Sequence, residues 1–283
     1  MNFTEHDEVI FGRAPLVNVI SQIKFEPVFS LVSEVGIAGF QEGLRLTYPQ
    51  LSSSQASQLL IGGPTSKVSQ IGYQQSAPIW QMRDIAGGWI ISLSTNFVAF
   101  EARKYSHFNE FLDRLMFILD VLDRTVNVSE SIQIGLRKVN HIVQPADSAF
   151  GDWKSVIRPE LLGAAGIKFN CEMVHSISEL MLKEDSNNFR VVHGLIDRQS
   201  ADQLVDQSNG VEHESNGNEN NPGEGAAKVF LLDLDCFTMD RYPVRKEDNL
   251  ELLLNKFSDQ ITSFFHSSIT RDYYEWLEPR PKG

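Results

Sequence analysis

A chain of 283 residues, 42% of them hydrophobic, is long enough to bury one large or two medium cores. Its formal net charge of −12 argues against a general nucleic-acid or anionic-membrane surface, since phosphate binding requires clustered Lys and Arg. No apolar run reaches the length that spans a bilayer, and Met1–Glu8 carries acids where an export signal would carry bases, so a cytoplasmic protein is expected.

In chain order, Leu16 to Phe25 reads as the first strand, rich in Val and Ile and ended by Pro27. The spacing of Phe29, Leu31, Val32, Val35, Ile37, Phe40 and Leu44 predicts a helical stretch with a break at Gly36. Residues 50–66, rich in Ser, Gln, Gly and Pro, read as a loop. Strands are then predicted over 67–74, over 78–85 with a hairpin signal at Gly87-Gly88, and over 89–103 with a bend near Thr95-Asn96. A helix follows from His107 to Arg124, whose apolar positions 108, 111, 112, 115, 119 and 122 form one stripe.

The second half opens with a strand over Ser131 to Ile142 and a short helical piece from Trp153 to Leu162, broken by Pro159. A strand over 167–182 would place Phe169, Cys171, Met173, His175 and Ile177 on one face. A turn at 185–188 leads to a strand over 189–197. Residues 200–226, dominated by Asn, Glu, Gly, Asp and Ser, cannot bury enough surface to offset ordering entropy and read as a disordered hairpin insertion. A strand over 228–241, a helix over 246–267 and an aromatic tail at Tyr273-Tyr274-Glu275-Trp276-Leu277 complete the chain.

Segment 89–124 and segment 230–266 share one order of strand and amphipathic helix, with helix positions offset by a constant step (250 − 108 = 142; 264 − 122 = 142). The expected fold class is therefore α+β: internally duplicated units of strand, helix, three or four strands and helix, as antiparallel sheets each covered by a long helix. The units are 1–128 and 129–283, in one pseudo-symmetric body.

Several motifs form a recognisable set: Pro15-Leu16-Val17-Asn18-Val19, Ser94-Thr95-Asn96-Phe97-Val98, Gly135-Leu136-Arg137-Lys138-Val139-Asn140, Asp152-Trp153 and Pro159-Glu160-Leu161-Leu162-Gly163. With these, the chain resembles a sporadically distributed bacterial and archaeal family of uncharacterised proteins of similar size. The resemblance implies an accessory-gene distribution and brings no activity and no catalytic residues. The unit topology also looks like that of TATA-box-binding proteins and helix-grip ligand binders, an analogy of fold alone.

Candidate sites are few. Asp233 and Asp235 share a strand face at the spacing of a two-carboxylate metal site, although Ser92 and Ser94 in the first segment suggest that this face is simply wet. His175 and His193 could meet across a hairpin, with Cys171 or Asp197 as further ligands; half-buried sheet histidines are the plainer reading. Arg137 and His141 share one face of their strand, and Lys138 and Asn140 the other. Arg137 could bind a carboxylate or phosphate, or pair with a core-edge acid such as Glu101 or Glu160, which is preferred. Cys171 and Cys236 read as buried thiols within strands. No phosphate loop, nucleotide-binding glycine fingerprint, nucleophile elbow or paired-cysteine motif is present, and no cofactor is implied.

These observations favour a non-enzymatic interaction or regulatory protein, in a mobile-element, toxin–antitoxin or defence setting, with a protein partner and with self-association left open. One alternative is a small-ligand or nucleic-acid binder on the sheet face, for which a pocket lined by Phe169, Met173, Trp89 and Phe97 would speak. Another is a metal-dependent phosphoesterase or nuclease built on Asp233 and Asp235.

Overall fold

A computed structural model describes residues 9–55, 77–208, 228–243 and 247–281. In chain order the elements are β1 (Val9–Phe11), β2 (Leu16–Phe25), α1 (Glu34–Leu44), β3 (Gln50–Gln55), β4 (Pro78–Arg83), β5 (Trp89–Leu93), β6 (Phe97–Ala102) and α2 (Phe108–Val126). There follow β7 (Glu130–Ile142), α3 (Pro159–Leu162), β8 (Ser176–Glu184), β9 (Asn187–Asp197), α4 (Arg198–Ser208), β10 (Lys228–Thr238), β11 (Tyr242–Pro243), α5 (Glu247–Ser268), α6 (Arg271–Trp276) and β12 (Pro279–Pro281). The chain is mixed α+β.

Ten strands form one large antiparallel sheet in the order β3-β4-β5-β6-β2-β7-β10-β9-β8, with β11 beside β7. The strands β2 and β7 meet in its middle, running antiparallel from Leu16↔Asn140 to Phe25↔Ser131 with irregularities at both ends. Strands β1 and β12 pair separately, and the Phe11 ring meets Phe265 and Tyr274 edge-on at 5.8 and 5.6 Å.

Alternation along the strands divides the sheet into two chemically distinct faces. Val19, Ile23, Ile91, Val98, Phe100, Ile134, Leu136, Phe230, Leu232 and Leu234 point to one face and belong to the main core. Helix α2 meets that face: its Phe111 lies 5.0 Å from Phe100 and 6.4 Å from Trp89, ring to ring. Helix α5 meets it too, with the Lys138 ammonium donating to Ser258 Oγ at 2.8 Å and Phe264 edge-on to Phe189 at 5.3 Å. All six positions of the predicted α2 stripe are buried, joined by Ile118 and Val121. A fully buried side chain of this size contributes about 1.5–3 kcal/mol, so the stripe accounts for why the helix forms here. His107 caps it, its ring nitrogen accepting from the Glu110 amide at 3.0 Å, and Asn127 ends it at φ 61°.

Several local expectations are corrected. The helical stretch after β2 breaks at Ser33, between a 3-10 turn over Phe29–Val32 and α1, because the Ser33 hydroxyl accepts from the Gly36 amide as a cap. The expected loop over 50–66 begins as strand β3, paired with β4; its remainder and the predicted strand over 67–74 lie outside the described residues. The single bent strand over 89–103 is two strands, β5 and β6, folded onto each other around Ser94–Asn96. The predicted strand over 167–182 starts only at Ser176, and 167–175 is irregular with Ile167, Phe169 and Val174 exposed. Pairing with β9 begins at Ser176↔Leu195, and β9 runs only two residues further, to Asp197, so most of 167–175 lies beyond its reach. Cys171 is exposed outside any strand, whereas Cys236 is buried as expected, its thiol pushed well up by burial.

The polar insertion also differs at its start. Residues 198–208 form α4, capped by Asp197, whose carboxylate accepts from the Ser200 amide and hydroxyl at 2.8 and 2.6 Å. Ala201 anchors it on a second small cluster with Val139, Ile196, Val229 and Leu231. Residues 209–226 of the insertion lie outside the described residues.

Candidate functional site

The other face of the sheet carries the polar alternates: Asn18, Ile20, Gln22 and Lys24 from β2, Gln133, Gly135, Arg137, Val139 and His141 from β7, and Asp233, Asp235 and Phe237 from β10. Between these strands and β5–β6 opens a cavity of about 130 Å³, lined by Gln22, Ser92, Glu101, Gln133, Arg137 and Asp235 over an apolar floor that includes Ile20 and Phe237. This is well above the roughly 10–15 Å³ that one water needs. The cavity straddles the β2–β7 seam, where the two parts of the sheet join.

Its electrostatics follow from which acid each cation chooses. In register, Asp235 lies between Arg137 on β7 and Arg190 on β9. Neither guanidinium binds it. Arg137 reaches diagonally to Asp233 and grips it with two hydrogen bonds, of 2.7 and 2.8 Å, and Arg190 turns to Glu179 at 2.8 Å. Glu101 is held by Arg103 at 2.6 Å and by the Asn18 amide at 3.0 Å. Asp235 thus accepts no hydrogen bond from another described residue, while it lines the cavity half-buried. Burial, and then the like charge of Asp233, push its carboxyl up to about 6, against the pull of Arg137, Arg190 and Lys24.

The remaining candidates are dispersed. Asn140 lies on the core face and donates to the Leu232 carbonyl at 3.2 Å. His141 faces α4, 3.4 Å from Asp202, and its affinity for a proton is lowered chiefly by burial. His193 is buried on the core face, stacked on Phe230 at 6.0 Å, and burial lowers its proton affinity as well. His175 precedes β8 and is exposed, and the residue opposite His193 is Ser178, so the two histidines do not meet. Cys171 is exposed and Asp197 is occupied as the α4 cap, so the histidine–cysteine arrangement is not assembled. Among the described residues no group of three or more His, Cys, Asp or Glu is placed to hold a metal. The pocket imagined around Phe169, Met173, Trp89 and Phe97 does not form either: Trp89 is stacked on Phe100 inside the core and Phe169 is 51% exposed.

Sequence reasoning found Asp235 and Arg137 but not Gln22, Gln133 or the role of Glu101. The signal was present in β2, where Asn18, Gln22 and Lys24 alternate with Val19 and Ile23 in an otherwise apolar strand. No protein-family model and no curated protein matches the chain.

Proposed function

We propose that this chain is a non-enzymatic binding protein that receives a positively charged group of a protein partner, an Arg or Lys side chain, in the polar cavity at the β2–β7 seam. The observation that carries this reading is the Asp235 carboxylate, half-buried at the cavity wall without a hydrogen-bond donor among the described residues, while both neighbouring arginines are engaged elsewhere. An incoming guanidinium or ammonium would supply the missing donors, and Glu101, Gln22 and Gln133 offer further acceptors around it. A free small cation of the same chemistry is the second reading, favoured by the small volume of the cavity. A phosphoesterase would need Asp233 as a ligand, and Arg137 already occupies it. The chain's net charge and the acids of this face weigh against nucleic acid.

The sheet order supports internal duplication. Around the β2–β7 pair it reads β6, β5, β4 on one side and β10, β9, β8 on the other, with α2 following β6 and α5 preceded by β10. The strand matching 230–235 is thus β6, not the 89–94 segment, while the α2–α5 match is retained. Two units, 1–128 and 129–283, each with a long helix over its part of the sheet, would share one pseudo-symmetric body, and the cavity would sit on their axis. The topology analogy with TATA-box-binding and helix-grip units and the resemblance to the sporadically distributed family belong to this same reading, as does a cytoplasmic role in a mobile-element, toxin–antitoxin or defence system.

The test is titration with N-acetyl-arginine amide, followed by amide NMR shifts. Saturable shifts at Gly135, Gln22 and Gln133 are expected, weakening as pH falls through about 6 because Asp235 takes up its proton there. The Asp235→Asn and Gly135→Val variants should lose them. At Gly135 an added Cβ meets only ordinary contacts, 3.5 Å from Phe237 and 3.8 Å from the Asp235 carboxylate, so a larger side chain fills the cavity rather than the core. Equal shifts with N-acetyl-glutamate, or none with either probe, would reject the reading.

A further inference from the structure

A second surface, independent of the cavity, lies at the sheet's far edge. Among the described residues, strand β8 ends the strand order and pairs on one side only, with β9, in an unbroken register from Ser176↔Leu195 to Glu184↔Asn187. Every second residue therefore turns its backbone N–H and C=O away from β9. Five consecutive residues, 177–181, are exposed, and three are large and apolar: Ile177, Leu180 and Met181, at 46%, 39% and 50%. Edge strands are normally blunted by proline, a bulge, shortness or charged side chains, and over its nine residues β8 has only the last of these, in Glu179, Lys183 and Glu184.

Its charges are arranged to fit a copy of itself. Glu179, Met181 and Lys183 share one face, the acid and the base flanking the methionine symmetrically. Antiparallel pairing of two β8 strands about Met181 sets Glu179 opposite Lys183 of the second copy, and the reverse, so the ion pair forms twice. Met181 then meets its own equivalent, and on the other face Leu180 meets Leu182 twice. Moving the centre to Glu179 or to Lys183 would set like charges opposite each other. Glu179 is 55% exposed at the side chain and meets Arg190 through one oxygen, leaving the other for the lysine.

We propose that β8 is the surface through which two copies of this chain associate, edge to edge about a two-fold axis at Met181, joining their sheets into one. The contact is isologous, so it closes as a dimer.

Sedimentation equilibrium over a concentration series, on the full chain, tests this. The unaltered protein should show a monomer–dimer equilibrium. Glu179→Lys and Lys183→Glu should each raise the dissociation constant at least tenfold, and the double variant should restore it, because exchanging both charges recreates the complementary pair. Restoration separates the interface from a simple folding defect. In a Cys171→Ser background, Met181→Cys should give an intermolecular disulfide under mild oxidation. A single-chain mass at every concentration, or a dimer indifferent to both single exchanges, would overturn the proposal.

Discussion

Asp235 is a group the fold pays to keep charged. Its carboxyl titrates near 6, above the ordinary range of an unfolded chain, because burial and Asp233 outweigh the nearby cations. The folded state therefore holds this proton more tightly than the unfolded one. Stability falls as pH rises from about 4 to about 6, and the penalty is complete above that. Asp235→Asn should accordingly stabilise the protein at pH 7 by about 1–2 kcal/mol, a figure discounted for the group's partial exposure. The gain should vanish below pH 4, and denaturant titrations at pH 4 and pH 7 would measure it. A strained carboxylate on a cavity wall is where function rather than stability accounts for the residue. Arg137 and Asp235 were legible as candidates from their polar positions in apolar strands. That Arg137 would choose Asp233, diagonal to it, was not: the choice depends on the β7–β10 register, which no local pattern specifies.

At the scale of elements, the two faces of a strand and the stripe of a helix were legible because burial repeats along the sequence. The stripe of α2 is the plain case. What failed were pairing-dependent features. The alternation in 167–175 is as good as that of a strand, yet no strand among the described residues pairs with it. Helix α4 carries little apolar residue signal, and among its described side chains it is held by the buried Ala201 and the Asp197 cap. The β8–β9 seam has its own requirement at Gly194, where φ is +156° and an added Cβ would lie 1.8 Å from the Ser176 carbonyl oxygen. Gly194→Ala should cost at least about 2 kcal/mol by forcing the two strands apart. Hydrogen exchange should show the loss of protection concentrated in β8 while α2 stays protected.

For the molecule as a whole, the decisive link is that β2 and β7 pair in the middle of one sheet, so each part supplies the other's missing edge. Separating them would expose two long strands at once. Heating should therefore produce one calorimetric transition with matching van't Hoff and calorimetric enthalpies, and two resolved transitions would contradict this. The α+β class followed from the order of elements along the chain. The pairing partners did not, because strands as distant as β2 and β7 are neighbours only once the whole sheet is assembled.

The small β1–β12 ladder sets Val9 beside Pro281. From Val9 to Pro281 the backbone thus traces an almost closed ring, which a short linker between these two residues could complete at little cost in entropy. Chain continuing outward from Val9 and from Pro281 would start from neighbouring points. Two modules fused there, one at each side, would be held at high effective concentration towards one another.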